Sequence, residues 1–102
     1  MEIIWTHFAI ENLKVIFDFY TIKASKKVAH KIRVQILNAT EQLINHPTSG
    51  QKEIHLQKLK KDFRYIVSGN YKIIYKVEGA QIIISDVFDT RQNPDKMVDE
   101  KR

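Results

Sequence analysis

Apolar residues recur at helical spacing through the first half of the chain. The first run, at i, i+4, i+7 and i+11, consists of Ala9, Leu13, Ile16 and Tyr20. A second run with the same periodicity ends before Pro47 and consists of Val28, Ile32, Ile36, Ala39 and Leu43. Thr6 and Ser25 precede these runs and are residue types that cap helices. The pattern predicts a helical hairpin, preceded by a short strand over Glu2–Thr6.

The second half of the chain has the pattern of strands. The residue types of Pro47-Thr48-Ser49-Gly50 predict a turn. The segment Gln51–Asp62 has no periodicity that would assign it to a helix or a strand. From Phe63 onward, two β-type runs flank Ser68-Gly69-Asn70, and a third run over Gln81–Phe88 follows a turn at Gly79. We therefore predict an α+β fold: an N-terminal strand, the helical hairpin and a three-stranded antiparallel sheet, with the helices packed on one face of the sheet.

The stretch FRYIVSGNYKIIYKV, residues 63–77, allows two strand registers. A two-residue loop, Gly69-Asn70, places a cation on each face of the hairpin. A three-residue loop, Ser68-Gly69-Asn70, makes one face apolar and aromatic. The other face then carries Arg64, Ile66, Lys72, Ile74 and Lys76. Because an unpaired buried cation costs several kcal/mol and loop types differ by about 1 kcal/mol, we predict the three-residue loop, with Arg64 and Lys72 together on a face that the helices leave uncovered.

Length and composition indicate one domain over residues 1–97, followed by a flexible tail over 98–102. The last 14 residues, DTRQNPDKMVDEKR, have too few apolar side chains to order most of them. The chain has no cysteine, no basic N-terminal leader and no apolar run near the roughly 20 residues that span a bilayer. These features predict a soluble cytoplasmic protein without disulfides and without a membrane partner.

The net charge of +5 indicates a negatively charged partner. Residues 51–76 contain seven Lys and Arg and two Asp and Glu. The net charge of this segment, +5, equals that of the whole chain. On the predicted uncovered face, Ile66, Ile74 and Lys76 form a partner-binding surface in which apolar groups alternate with cations. Such a face fits a polyanion backbone or an acidic, amphipathic protein segment. A second group of cations, Lys26, Lys27, Lys31 and Arg33, is predicted to be a solvated helix face.

Four stretches in this order resemble the RelE/ParE superfamily of type II toxin-antitoxin toxins. They are WTHFAIENLKVIFDFY, HPTSG, FRYIVSGNYKIIYKV and VFDTRQNPDKM, and the resemblance runs from Trp5 to about Met97. It implies a toxin that inhibits growth unless a cognate antitoxin, a small acidic protein encoded by the adjacent gene, is bound. RelE-like members cleave messenger RNA on the ribosome, whereas ParE-like members poison DNA gyrase without catalysis.

The resemblance implies that Arg64, Lys72 and Arg91 occupy positions of the RelE catalytic cations. The match is incomplete, because Ile66 stands where a second basic residue is common and no tyrosine lies near Met97. His55 and Asp89 are candidates for the acid or base that RNA cleavage needs. No metal site or cofactor is predicted. Two hypotheses stay open: a ribosome-dependent endoribonuclease, and a binding protein that poisons gyrase or only pairs with its antitoxin.

Overall fold

The computed structural model describes residues 1–59 and 62–97, which form five strands, two α-helices and three short 3₁₀ segments. The helices are α1 (His7–Lys23) and α2 (Lys26–Glu41). The strands are β1 (Glu2–Trp5), β2 (Gln51–Lys52), β3 (Arg64–Ser68), β4 (Tyr71–Glu78) and β5 (Gln81–Asp89). The 3₁₀ segments are Gln42–Ile44, Ile54–Leu59 and Pro94–Met97. No helix of the described residues is long and apolar enough to cross a membrane.

The predicted helical hairpin and both of its N-terminal caps are confirmed. The Thr6 hydroxyl oxygen accepts a hydrogen bond from the Ala9 amide at 3.1 Å. The Ser25 hydroxyl oxygen accepts one from the Val28 amide, also at 3.1 Å. Each cap satisfies a backbone donor of the first turn that has no partner within the helix. The two helices therefore begin where the sequence pattern places them.

The sheet has five strands in the order β1-β5-β4-β3-β2, rather than the three strands of the predicted antiparallel unit alone. The predicted hairpin and third strand form its centre, with β3, β4 and β5 antiparallel. The N-terminal strand β1 joins them by pairing parallel to β5. The two-residue strand β2 adds to the outer edge of β3. Both additions cover edges that would otherwise expose unpaired backbone groups.

The predicted register of the β3–β4 hairpin is wrong. The loop is the two-residue Gly69-Asn70, with Ser68 opposite Tyr71 and Arg64 opposite Tyr75. Gly69 has a φ of 57°, a conformation that glycine adopts without strain. Since Val67 pairs with Lys72, Lys72 lies on the face opposite to that of Arg64. The two cations therefore do not stand side by side.

The register prediction failed because its premise, an unpaired buried cation, does not apply. Lys72 has a carboxylate partner in Glu53, at 3.0 Å. The guanidinium of Arg64 donates to the carbonyl oxygen of Gly50 at 2.9 Å and to that of Thr48 at 3.3 Å. All three partners precede the hairpin in the chain. With both cations compensated, the apolar residues on each face determine the register.

Each face of the sheet is covered by its own core. On the helix side, α1 and α2 pack on the sheet through a cluster that includes Ala9, Ile36, Leu43, Tyr71, Ile73, Tyr75, Ile82 and Ile84. The predicted core positions of Tyr71 and Tyr75 are thus confirmed. On the other side, a second cluster consists of Leu56, Phe63, Ile74, Phe88 and Met97.

The second core contradicts the prediction of a bare sheet face. Leu56 belongs to the 3₁₀ segment Ile54–Leu59 and Met97 to Pro94–Met97, and both side chains are buried. The tail thus contributes Met97 to the core, although its composition predicted that most of it would not pack. The predicted flexible tail, 98–102, lies outside the described residues.

Candidate functional site

A buried carboxylate organises the polar groups on the side of the sheet opposite the helices. Glu53 directly follows β2, and its backbone amide donates to the Phe63 carbonyl oxygen at 2.9 Å. This bond continues the strand pairing, so the Glu53 side chain lies on the same face as Phe63 and Lys72. The side chain of Glu53 is only 1% exposed. A carboxylate at this depth requires partners for its charge.

Two side chains bind the two oxygens of this carboxylate. Lys72 Nζ lies 3.0 Å from Glu53 Oε2, and His55 Nδ1 lies 2.8 Å from Glu53 Oε1. The backbone amide of His55 also donates to Oε1, at 3.3 Å. The ammonium of Lys72 in addition lies 4.2 Å from the centre of the Tyr65 ring, a cation–π distance. We call Glu53, His55, Tyr65 and Lys72 the Glu53 cluster.

The electrostatics of the Glu53 cluster keep the carboxylate ionised. Burial by itself raises the pKa of Glu53, but the hydrogen bonds from His55 and Lys72 outweigh it, and the pKa lies below its ordinary value. A neutral His55 that donates from Nδ1 has its acceptor lone pair on Nε2. Its side chain is 37% exposed. A carboxylate that binds one ring nitrogen of a histidine in this way fixes the orientation of the ring.

Arg64 does not belong to this cluster. It lies on the helix side of the sheet, where its two hydrogen bonds hold the Thr48–Gly50 turn against β3. An exposed carboxylate, Asp62, lies 3.8 Å from its guanidinium. Because its donors point at backbone carbonyls of the chain itself, Arg64 has a clear structural role.

Arg91 and Asp89 form a two-point ion pair at the end of β5. Arg91 Nε donates to Asp89 Oδ1 at 2.9 Å, and Arg91 Nη2 donates to Oδ2 at 2.8 Å. The Arg91 hydrogen bonds lower the pKa of Asp89, and Asp89 raises the pKa of Arg91. Of the two interpretations of Asp89 open to the sequence, a base or the partner of Arg91, the geometry favours the partner.

A groove of about 300 Å³ lies between α1 and the end of β5. One wall is apolar and consists of Val15, Ile16, Phe19 and Val87. The other end is polar and consists of Asn12, Asp89, Arg91 and Gln92. Tyr71 also lines the groove. Its hydroxyl donates to the Tyr20 hydroxyl at 3.3 Å, and burial raises its pKa.

The apolar wall of the groove is open to solvent. Val15 is 65% exposed and Phe19 is 49% exposed. Two large apolar side chains beside an anchored arginine are typical of a surface that binds an amphipathic segment. We call this feature the α1–β5 groove.

The structure therefore separates the residues that the sequence grouped. Arg64 lies on the helix side, Lys72 on the other face, and Arg91 at the α1–β5 groove. Of the predicted partner-binding residues, Ile66 packs on the helix-side core and Ile74 is fully buried in the second core. Lys76 lies 2.9 Å from Glu78 and 5.8 Å from the Phe63 ring centre.

Sequence reasoning named His55 and Lys72 but missed the residue that joins them. Glu53 lies in the segment without assignable periodicity, two positions before His55. It is the single acidic residue between Glu41 and Asp62. A single acid in a lysine-rich segment, two positions before a histidine, is the signal that could have identified it.

Both the sequence and the fold of the chain match known proteins. The profile of the family described as ParE toxin of type II toxin-antitoxin system, parDE, matches residues 3–94. A solved structure described as the chromosomal ParDE TA system from P. aeruginosa superposes with a TM-score of 0.76 and 19% identity, covering 89% of this chain and 97% of that chain. At that identity the likeness shows a shared fold. The search of curated proteins gave no significant match.

Proposed function

Because the chain belongs to the ParE toxin family of type II toxin-antitoxin systems, we propose that it inhibits cell growth when no antitoxin is bound, and that it acts by binding DNA gyrase. The observation that carries this proposal is the separation of Arg64, Lys72 and Arg91. Cleavage of RNA through its 2′-hydroxyl needs cations that converge on one pentacoordinate phosphate. These three cations lie at different places on the molecule, so they do not form a common phosphate site.

The pairing of two of these cations with carboxylates also argues against a phosphate site. Glu53 binds Lys72 and Asp89 binds Arg91 at hydrogen-bonding distance. An ammonium or guanidinium already paired with a carboxylate contributes less to stabilising a second anion, since the net local charge is close to zero. A toxin that acts by binding a protein target needs no such phosphate site.

The α1–β5 groove is the proposed docking site for the antitoxin. Val15 and Phe19 offer apolar surface to one side of a bound segment, and the polar end with Asn12, Arg91 and Gln92 offers hydrogen-bond donors to its other side. The net charge of +5 favours an acidic partner. The similar structure from P. aeruginosa is described as a ParDE system, which supports a partner of the antitoxin kind. We expect the adjacent gene to encode this small acidic protein.

One observation favours a second candidate function, ribosome-dependent cleavage of messenger RNA. In the Glu53 cluster, an oriented histidine lies beside a lysine. In that reaction, His55 Nε2 would take the proton of a 2′-hydroxyl, whose oxygen attacks the phosphorus. A 2′,3′-cyclic phosphate would form, and the 5′ oxygen would leave with a proton from water. Lys72 would stabilise the phosphorane charge.

Induction of the toxin without its antitoxin distinguishes the two functions. We expect incorporation of labelled thymidine to fall before that of labelled methionine, with an SOS response. We expect His55→Gln to be as toxic as the wild type, because binding to gyrase does not use the imidazole as a base. The matched control is His46→Gln, which removes an exposed histidine outside the Glu53 cluster.

The opposite pattern would support the ribonuclease. Methionine incorporation would then fall first, cleaved messenger RNA would accumulate, and His55→Gln would abolish both effects while His46→Gln would not. Unimpaired growth after induction of the wild-type chain would contradict both mechanisms.

A further inference from the structure

A cationic surface lies at the tip of the helical hairpin and shares no residue with the Glu53 cluster or the α1–β5 groove. Four exposed lysines form it: Lys23 at the end of α1, and Lys26, Lys27 and Lys31 in the first two turns of α2. None of them takes part in an ion pair among the described residues. Residues 19–40 contain five Lys and Arg and no Asp or Glu. We call the four lysines the hairpin-tip patch.

The position of these lysines disfavours the local helix. The N-terminus of a helix carries a partial positive charge, and cations in its first turn weaken it by up to about 1 kcal/mol each. The first turn of α2 contains no acidic residue to offset Lys26 and Lys27. Lys27 and Lys31 are four residues apart and repel each other along the same face. Helix stability therefore does not explain why the cations are concentrated here.

Neighbouring side chains fix the inner border of the patch. The Arg33 guanidinium stacks 4.7 Å from the centre of the Phe17 ring of α1. Its Nη2 donates to His30 Nδ1 at 2.8 Å. Since arginine can only donate, Nδ1 is the acceptor and the ring N–H is on Nε2 of this exposed histidine. The patch thus combines four exposed ammonium groups with the ring N–H donor of His30 at its inner border.

The chemistry of the patch fits a nucleic acid better than a membrane or a protein. Membrane-surface helices place a continuous apolar face beside their lysines. In α2 most of that face is used internally, with Ala29 and Ile36 buried. The large apolar side chains exposed beside the lysines are Ile22, at 80%, and Val28, at 39%, which are two side chains rather than a face. Lysine is depleted in protein–protein interfaces. A duplex DNA, in contrast, offers one negative charge per about 1.7 Å of helix axis and is bound through such lysines by release of counterions.

We propose that the hairpin-tip patch binds the phosphate backbone of double-stranded DNA without sequence preference. This inference does not depend on the identity of the toxin's target. The lysines make charge contacts to phosphates, and the His30 Nε2–H donates a further hydrogen bond. Binding of this kind weakens steeply with salt, since each phosphate contact contributes about 0.9 to the slope of log K against log salt concentration.

Fluorescence anisotropy with a labelled DNA duplex of random sequence tests this proposal. The variant Lys26→Gln, Lys27→Gln, Lys31→Gln is expected to lower the salt slope by about 2.7 and to weaken binding at low salt by about tenfold or more. The matched control is Lys14→Gln, Lys52→Gln, Lys96→Gln, which removes the same charge from exposed lysines elsewhere. The control should retain the wild-type slope to within about 1. Circular dichroism verifies that both variants are folded.

Three results would overturn the proposal. Equal losses in the two triple variants would assign any DNA binding to net charge instead of to the patch. Wild-type affinity in the patch variant would remove these lysines from the interface. Patch-dependent binding to phosphatidylserine vesicles or to polyglutamate, together with no binding to the duplex, would assign the surface to a different class of partner.

Discussion

Replacing Glu53 by leucine is expected to lower the free energy of unfolding by about 3 kcal/mol. The substitution removes a carboxylate that is 1% exposed and leaves Lys72, only 20% exposed, without its ionic partner. The cost arises mainly from this uncompensated cation, since removing one member of a buried pair is worse than removing both. Urea unfolding followed by circular dichroism measures the change.

The double variant Glu53→Leu, Lys72→Leu distinguishes the stability lost through the unpaired charge from that lost through packing. We expect it to recover most of the lost stability, because two apolar side chains can replace a buried ion pair at little cost. Glu53→Gln is the conservative control and should lose less than leucine, since the amide oxygen can still accept a hydrogen bond. A double variant that is no more stable than Glu53→Leu alone would contradict this account of the Glu53 cluster.

The contribution of Glu53 is expected to depend on pH in acid. Its folded-state pKa lies below the ordinary value of 4.5, because the hydrogen bonds from His55 and Lys72 outweigh the opposing effect of burial. A depressed folded-state pKa stabilises the protein above the unfolded-state pKa, and this stabilisation is lost as the pH falls through the folded-state pKa. The stability difference between wild type and Glu53→Gln should therefore narrow as the pH falls below 4.5. A difference that does not change over this range would contradict the assigned partners.

The sequence predicted those parts of the fold that depend on neighbouring residues. The helices begin directly after Thr6 and Ser25, because a capping residue and an apolar periodicity act within a few positions. The register of the hairpin depends instead on the Glu53 carboxylate and on the carbonyls of Thr48 and Gly50. These partners lie in or beside a segment with no readable pattern. A register prediction based on residues 63–77 alone could not take these partners into account.

The candidate sites also depend on contacts between residues that are distant in the sequence. His55 and Lys72 were identified one by one, but their relation through Glu53 depends on β2 adding to the edge of β3. The α1–β5 groove depends on contacts such as that of Asn12 Nδ2 with Asp86 Oδ1 at 2.6 Å, 74 positions apart. Such separations leave no periodic trace in the sequence. The hairpin-tip patch, which is local, is visible in the sequence as a run without acids.

Gly50→Ala is expected to lower the free energy of unfolding by about 3 kcal/mol, which includes strain and a disturbed hydrogen bond. A Cβ at this position would lie 2.5 Å from the hydroxyl oxygen of Tyr75 and 2.8 Å from the carbonyl oxygen of Tyr65. Tyr75 is fully buried, so its ring has no solvent-filled space to move into. Gly69→Ala is the comparison, because its added Cβ meets no atom within 4 Å and its cost arises from a φ of 57° alone. Thermal and urea unfolding should rank Gly50→Ala as the more severe.

A double-mutant cycle with Tyr75→Phe identifies the source of that strain. The Tyr75 hydroxyl donates to the Pro47 carbonyl oxygen at 2.8 Å and accepts from the Gly50 amide at 2.9 Å, so its removal should cost about 2 kcal/mol. It also removes the atom nearest to the added Cβ, whereas the Tyr75 ring carbon at 2.7 Å and the Tyr65 carbonyl remain. Gly50→Ala should therefore cost about 1 kcal/mol less in the Tyr75→Phe variant than in the wild type. Strictly additive losses would show that the hydroxyl contact is relieved by movement of the Thr48–Gly50 turn, and β2 with Glu53 would then be displaced as well.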